Sequence, residues 1–336
     1  MLPAPATESR KRSFRRLTSP RKRVLDSLLA RSRATNLAVL ILSAICLLSL
    51  VLNVHHQLGS TWARSSEHTA IGLFSTITRH RKSSNLNHLV VVPCHAIWKG
   101  VDAASRLNED DWILEHYQKG TSQVDVFFRH IVEGAKLAKK DTRSLLVFSG
   151  GQTRPASTTT EAESYLRLAI SAKLLDEPDL DPVSERVTTE NHALDSYQNL
   201  VFSIARFHEF TGVYPEHITV VGYDFKRARF TDLHRKALRW PVHRFGYIGV
   251  DPDDDQHNAI AREGEASLKN GYQPYSVDLY GCHSFLLGKR RQRNPFSRFH
   301  SYYTSAPELA PLFDWCPDSD GLEDSIFRGS LPWNRD

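Results

Sequence analysis

After residue 86 the chain alternates between two hydrophobic patterns. Leu89–Pro93 (LVVVP), Leu145–Ser149 (LLVFS) and Ile218–Gly222 (ITVVG) are short, continuous apolar runs rich in β-branched residues. Such runs suit strands buried on both faces. Arg186–Thr189 and Phe245–Val250 add two further strands. Between them, apolar residues recur at helical spacing. Val124–Ala138 places Val124, Phe127, Phe128, Ile131 and Ala135 on one face, and Leu194–Phe210 does the same with Leu194, Tyr197, Val201, Ile204 and Phe207. Thr160–Leu175 reads as a helix with Thr N-caps and with Glu161 and Glu163 in its first turn. Arg229–Arg239 reads as a helix stopped by Pro241, and His257–Lys269 as a late helix. The order β-α-β-α-β-α-β-α-β predicts an α/β fold, a Rossmann-like and mainly parallel sheet flanked by helices, over residues 87–270. Residues 271–336 show little periodicity and are expected to pack on that domain as an extension.

A different pattern precedes the body. Residues 35–54 (TNLAVLILSAICLLSLVLNV) hold no charge. At helical rise they reach about 30 Å, the thickness of a hydrocarbon core. This predicts one transmembrane helix with the lipid bilayer as its partner. The flank decides its orientation: residues 1–34 carry ten Lys/Arg against two acids, whereas the rest of the chain is slightly acidic. The positive-inside rule then places the amino terminus in the cytosol and the body across the membrane. An endomembrane setting is preferred to the mitochondrial inner membrane. Residues 1–34 read as a basic disordered tail and 55–86 as a stalk, with a short ordered piece around Ala70–Ile77.

Composition excludes several classes. With 40% hydrophobic and 24% charged residues the body should form a true core, and four cysteines in 336 residues are too few for a disulfide scaffold. Because the basic excess lies in the tail, nucleic acid is not an expected partner. No Asn begins an N-x-S/T sequon, and Cys94, Cys282 and Cys316 leave an odd count in the body. There is no G-x-S-x-G, H-E-x-x-H or paired CxxC motif, and no metal site is expected.

In an open parallel sheet, ligands bind beyond the carboxyl ends of the strands. The loops there hold the candidate chemistry. His95 follows the first strand as a possible acid–base group; its neighbour Cys94 reads as a small buried residue. Ser149, Gly150 and Gly151 follow the second strand, where the paired glycines suggest a backbone nest for an anion, with Arg154 close by. Glu161 opens the next helix, Glu190 ends the third strand, and Ser196 and Asn199 lie one turn apart on the helix that follows. Asp224, Lys226 and Arg227 follow the fourth strand, where clustered cations suit phosphate or carboxylate. The catalytic candidates are His95, Glu161, Glu190 and Asp224. The ligand-binding candidates are Ser149, Gly150, Gly151, Arg154, Ser196, Asn199, Lys226 and Arg227. The runs Asp251–Asp255 and Lys289–Arg293 read as solvated surface.

The series strand–SGG, T-E-A, a glutamate with a downstream S-x-Q-N, and V-V-G-Y-D-F-K-R-A resembles the domain-of-unknown-function-218 family (SanA/YdcF/ElyC-like). The basic tail, single span, P-C-H-A-I-W, F-S-G-G-Q-T-R and R-N-P-F elements are similar to its fungal membrane-anchored branch. The resemblance spans roughly residues 88–250. It implies a Rossmann-like fold, a membrane-associated role and a nucleotide-like ligand such as S-adenosylmethionine. It places the family site on Ser149, Gly150, Gly151, Glu161, Glu190, Ser196, Asn199 and Arg227. Ser196 stands where the family has Thr, Gln198 where it has Glu, and Asp224 where it has His. Three functions are expected in order: a phosphorylated or nucleotide-like small molecule bound at the carboxyl edge of the sheet, with or without catalysis; a non-catalytic anchored scaffold; a glycosyltransferase-like enzyme using Asp251–Asp255.

Overall fold

The computed structural model describes residues 34–63, 75–79, 83, 85–121, 123–176, 182–253, 263, 265, 271–318 and 326–334. The chain divides into two compact units, residues 1–72 and 73–336. The first contains helix α1 (Ala34–Ala63), whose described large apolar side chains, from Leu37 to Val54, are all exposed. Among the described residues no helix is long and apolar enough to cross a membrane. Side chains 35, 36 and 38 of the expected span lie outside that set, as do the tail over 1–33 and residues 64–74, 80–82 and 84 of the stalk.

The second unit is built on a five-stranded sheet. Its strands are β1 (His88–Pro93), β2 (Ser144–Ser149), β3 (Val187–Glu190), β4 (His217–Gly222) and β5 (Phe245–Gly249). All pairings are parallel, in the order β3-β2-β1-β4-β5. Val90 lies beside Leu146 on one side and Thr219 on the other. The five expected strands each fall within a residue or two of these bounds. The apolar runs of β1 and β2 are buried almost throughout, whereas the edge strands β3 and β5 are only partly covered.

Alternate residues feed two cores. On one face Val90, Val92, Leu146 and Phe148 pack against α2 (Gln123–Lys140) and α3 (Glu161–Ser171). On the other, Leu89, Val91, Leu145, Val147, Ile218 and Val220 pack against α4 (Ser196–Thr211) and the segment around Phe230 and Leu233. Tyr275, Leu286, Tyr302, Leu312 and Trp333 of the carboxyl-terminal segment join this second core. That segment contributes α6 (Tyr272–Val277) and α7 (Ser284–Gln292), and a Cys282–Cys316 disulfide ties it together. Cys94 remains a buried free thiol.

Two elements differ from the sequence pattern. The helix expected at Arg229–Arg239 is a π-helical turn, Arg229–His234, that continues as a single α turn, Arg235–Ala237; together these form α5. Ile97–Trp98 and Trp112–Ile113 form a small antiparallel ribbon, too short to leave a periodic signal. The helix expected at His257–Lys269 lies outside the described residues, apart from Glu263 and Glu265.

The strand order reverses direction between β1 and β4, because the chain runs β1 to β3 one way and then crosses back. The carboxyl ends of these two strands flank the crevice where such sheets bind ligands. Close packing of α2 on β1 sets one wall of it. A Cβ added at Gly134 would stand 2.6 Å from Val92 Cγ2. Gly134→Ala should therefore lower unfolding free energy by about 1–3 kcal/mol through overpacking, despite alanine's helix preference of about 1 kcal/mol. Urea denaturation checks this. Added stability would show that α2 stands further off than described.

Candidate functional site

Helix α3 begins the site. Thr160 is its N-cap: its hydroxyl accepts from the Glu163 N–H at 3.0 Å, and the Glu163 carboxylate accepts from the Thr160 N–H at 3.1 Å. This reciprocal capping box satisfies two helix-end donors. Two more are taken by the glycine pair, since Glu161 N–H donates to Gly151 O and Ala162 N–H to Gly150 O. The glycines' own N–H groups donate to Glu190 O at 3.0 Å and Ala193 O at 2.7 Å. Gly150 and Gly151 therefore do not form the expected anion nest. Their lack of a side chain serves close packing instead: a Cβ at Gly150 would meet Glu161 and Cys94 at 2.9–3.0 Å, and one at Gly151 would meet Ala193 O at 2.8 Å.

Glu190 organises the loops around this junction. It is fully buried, and four donors surround its carboxylate. Ser149 Oγ donates to Oε2 at 2.7 Å and Ala193 N–H at 3.2 Å; His192 N–H donates to Oε1 at 2.8 Å and Tyr302 OH at 3.2 Å. Ser149 Oγ also lies 3.0 Å from Asn199 Oδ1. Ser149, Glu190 and Asn199 thus converge as the sequence suggests, but they saturate one another. Burial pushes the Glu190 carboxyl up to about 7, with the four donors pulling the other way.

Glu161 is similarly engaged. Thr153 Oγ1 donates to its Oε1, and Arg154 lies 3.8 Å from the same oxygen and 3.2 Å from Glu115. Arg154 is buried and also reaches toward His95 O at 3.5 Å. His95 packs among Phe127, His130 and Tyr223, with ring centroids 5.1–5.6 Å away. Its Nε2 is enclosed and has no partner. Burial, then the charge of Lys226, keeps this imidazole well below its ordinary value and hence neutral.

The β4 loop separates two kinds of cation. Arg227 is exposed and committed: it donates to Asp224 Oδ1 at 2.9 and 2.6 Å and to Tyr247 O at 2.7 Å. Asp224, expected as a catalytic group, is neutralised by this same pair. Lys226 is half-buried, lies over the rings of Tyr223 and Phe225 at 5.1 and 5.7 Å, and makes no hydrogen bond or ion pair among the described residues. Burial, then the charge of Arg229, lowers its ammonium to about 7. Arg229 pairs with Glu265 and donates to Ser196 Oγ at 3.3 Å. Ser196 Oγ also lies 2.8 Å from Nε2 of buried His234.

Sequence reasoning missed the residues that close the site from the carboxyl-terminal segment. Arg290, in the run read as solvated, forms a buried ion pair with Asp195, the N-cap of α4. Arg293 donates to Leu194 O at 2.9 Å, and its charge acts on His95, Lys226 and Lys289. Lys289 is lowered to about 8 by burial and then by Arg293 and Arg229. In the acidic run, Asp251 accepts from Asp224 N–H at 2.8 Å and exposed Asp253 pairs with Arg129, while 254–255 lie outside the described residues.

The chain is similar to the uncharacterized protein YOR238W of Saccharomyces cerevisiae, 29% identical over 293 residues, covering 73% of this chain and 97% of the yeast protein. No family model and no solved structure matches the chain.

The buried ionisable groups fix how stability follows pH. His130 and His234, both fully buried, are lowered to about 3, chiefly by burial. An unfolded chain protonates them near 6.5, so it binds more protons than the fold between pH 6.5 and 3, and their contribution falls as pH drops through that window. Glu190 acts oppositely: its raised value means the fold holds the extra proton between about 4.5 and 7. Glu190→Gln removes this counter-slope. Urea titrations from pH 7 to 5 should show the variant losing stability more steeply with acid, by up to about 1.4 kcal/mol per pH unit. Parallel profiles would mean that Glu190 stays ionised throughout.

Proposed function

We propose that this protein is a membrane-anchored α/β protein that binds a phosphorylated or nucleotide-like small molecule at the carboxyl edge of its sheet. The carrying observation is Lys226. Its ammonium lacks an anionic partner among the described residues and stands with Arg229, Lys289 and Arg293 beside the β1–β4 crevice. Gathering cations in a desolvated place costs free energy unless an anion completes it.

His95 carries the catalytic reading, as a neutral imidazole with an unpartnered nitrogen near the cations. The second reading, binding without catalysis, is favoured by the saturation of Glu190 and the Asp224–Arg227 pair, which leave those two candidates without a proton-transfer role. The glycosyltransferase-like reading loses support with the engagement of Asp251 and Asp253. The resemblance to the domain-of-unknown-function-218 family is retained as a proposal, and with it S-adenosylmethionine as a trial ligand.

The uncharged run over 35–54 and its exposed leucines support a membrane anchor. The basic tail supports a cytosolic amino terminus. The Cys282–Cys316 disulfide adds support for a body in an oxidising compartment beyond the membrane, in keeping with that orientation.

A thermal-shift screen of the full-length protein in detergent micelles tests the ligand reading. Its trial compounds are nucleotides, sugar nucleotides, S-adenosylmethionine and isoprenoid phosphates. A ligand at a hundred times its Kd adds about 2.7 kcal/mol, a rise of a few degrees for a domain of this size. The rise should vanish in Lys226→Ala and Arg229→Ala and persist in Arg227→Ala. A hit indifferent to Lys226→Ala, or no hit at all, contradicts the assignment.

A further inference from the structure

A cavity of about 480 Å3 opens at the opposite, amino-terminal edge of the sheet, away from every candidate residue discussed so far. His88, Thr219 and Gly246 form part of its lining from three adjacent strands, joined by Asp141 and Arg143 from the turn before β2. His217, His243 and Arg244 complete its charged and titratable rim.

Three of these residues form a continuous hydrogen-bonded relay. Asp141 Oδ2 lies 2.7 Å from His88 Nδ1, and His88 Nε2 lies 2.8 Å from Thr219 Oγ1. The second Asp141 oxygen accepts from the Arg143 N–H at 2.9 Å, so the carboxylate is fixed in place. Gly246 keeps the hydroxyl uncrowded: a Cβ there would stand 3.1 Å from Thr219 Oγ1. The Arg143 guanidinium is exposed and makes no bond among the described residues. Arg244 is committed to Glu216 O and stacks on Trp240. The nearby acid Glu216 accepts from Asn87 at 2.6 Å and does not line the cavity. Arg143 and Arg244 against Asp141 leave the lining with an excess positive charge even when its histidines are neutral.

The relay has a polarity. With Asp141 holding the Nδ1 proton, a neutral His88 accepts the Thr219 hydroxyl hydrogen at Nε2, and the hydroxyl has nothing to donate to a ligand. When the ring gains a proton from solvent at Nε2, it becomes an imidazolium paired with Asp141 and donates to Thr219 Oγ1. The hydroxyl hydrogen is then free to turn toward an anion beside the Arg143 guanidinium. We propose that this cavity is a second ligand site, for a small molecule carrying a tetrahedral oxyanion, taken up together with one proton. The cavity is much larger than a bare oxyanion and leaves room for an organic group beyond it.

Inorganic sulfate is a suitable probe because it stays a dianion from pH 6 to 8. Calorimetric titration of the full-length protein in detergent micelles should show sulfate binding about tenfold or more tightly at pH 6 than at pH 8. Arg143→Ala should weaken it by about tenfold. Thr219→Val, nearly isosteric, should reduce the pH dependence, leaving the share that His217 and His243 contribute, and Thr219→Ser should keep it in full. Lys226→Ala, at the other edge, should leave sulfate binding unchanged, which separates this site from the carboxyl-edge ligand. Phenyl phosphate serves as a second arm: tighter binding than inorganic phosphate assigns the site to a phosphorylated small molecule, and equal binding assigns it to the free ion. No binding at millimolar sulfate, binding indifferent to Arg143→Ala and Thr219→Val, or binding lost in Lys226→Ala overturns the proposal.

Discussion

The carboxyl edge of this sheet depends on one buried carboxylate. Glu190 receives hydrogen bonds from the end of β2, from two backbone groups of its own loop and from Tyr302 in the carboxyl-terminal segment. A buried carboxylate is tolerated only when its acceptor positions are filled. That requirement brings three otherwise separate pieces of chain to one point. Through Ser149 it also reaches Asn199 on α4. Each Glu190 oxygen has two donors, so removing one leaves that oxygen with a single partner in a dry interior and weakens the junction of the loops.

From this fixed junction the division of labour at the edge follows. On the β2 side, acids and hydroxyls satisfy one another, and the glycine pair stitches α3 to the sheet through its backbone. On the β4 side, Asp224 and Arg227 neutralise each other near the surface, while Lys226 lies over Tyr223 and Phe225 and Arg229 pairs with Glu265. The Asp195–Arg290 ion pair docks α7 against the start of α4 and carries Lys289 and Arg293 with it. Among the described residues the cations Lys226, Arg229, Lys289 and Arg293 gather on this side, with Glu265 paired to Arg229.

The sheet was legible in the sequence because strands covered on both faces are mostly apolar, and LVVVP, LLVFS and ITVVG are short, β-branched-rich runs set between helical patterns. The helices followed from their spacing. The site was legible in place but not in role. Whether a glycine's N–H faces a ligand depends on which carbonyls approach it, and Glu190 O and Ala193 O come from another loop. Lys226 and Arg227 are adjacent in sequence yet have opposite fates, because consecutive side chains in a tight turn point different ways. Lys289, Arg290 and Arg293 lie more than sixty residues beyond Lys226, and no local pattern reveals that a basic run will fold onto an α4 N-cap. The π-helical turn at Arg229 likewise gives no periodic signature.

The central claim is that Lys226, half-buried and without a hydrogen-bond or ion-pair partner among the described residues, is the proposed contact for an anionic ligand. Its most direct test is the titration of the Lys226 amine, followed in the full-length protein by 13C NMR after reductive methylation, with Lys226→Arg identifying its resonance. The account predicts a midpoint near 7, well below the ordinary lysine value of about 10.4, and an upward move when a phosphate-bearing ligand is added. A midpoint at the ordinary value, unmoved by any such ligand, would show a solvated surface lysine and contradict the account.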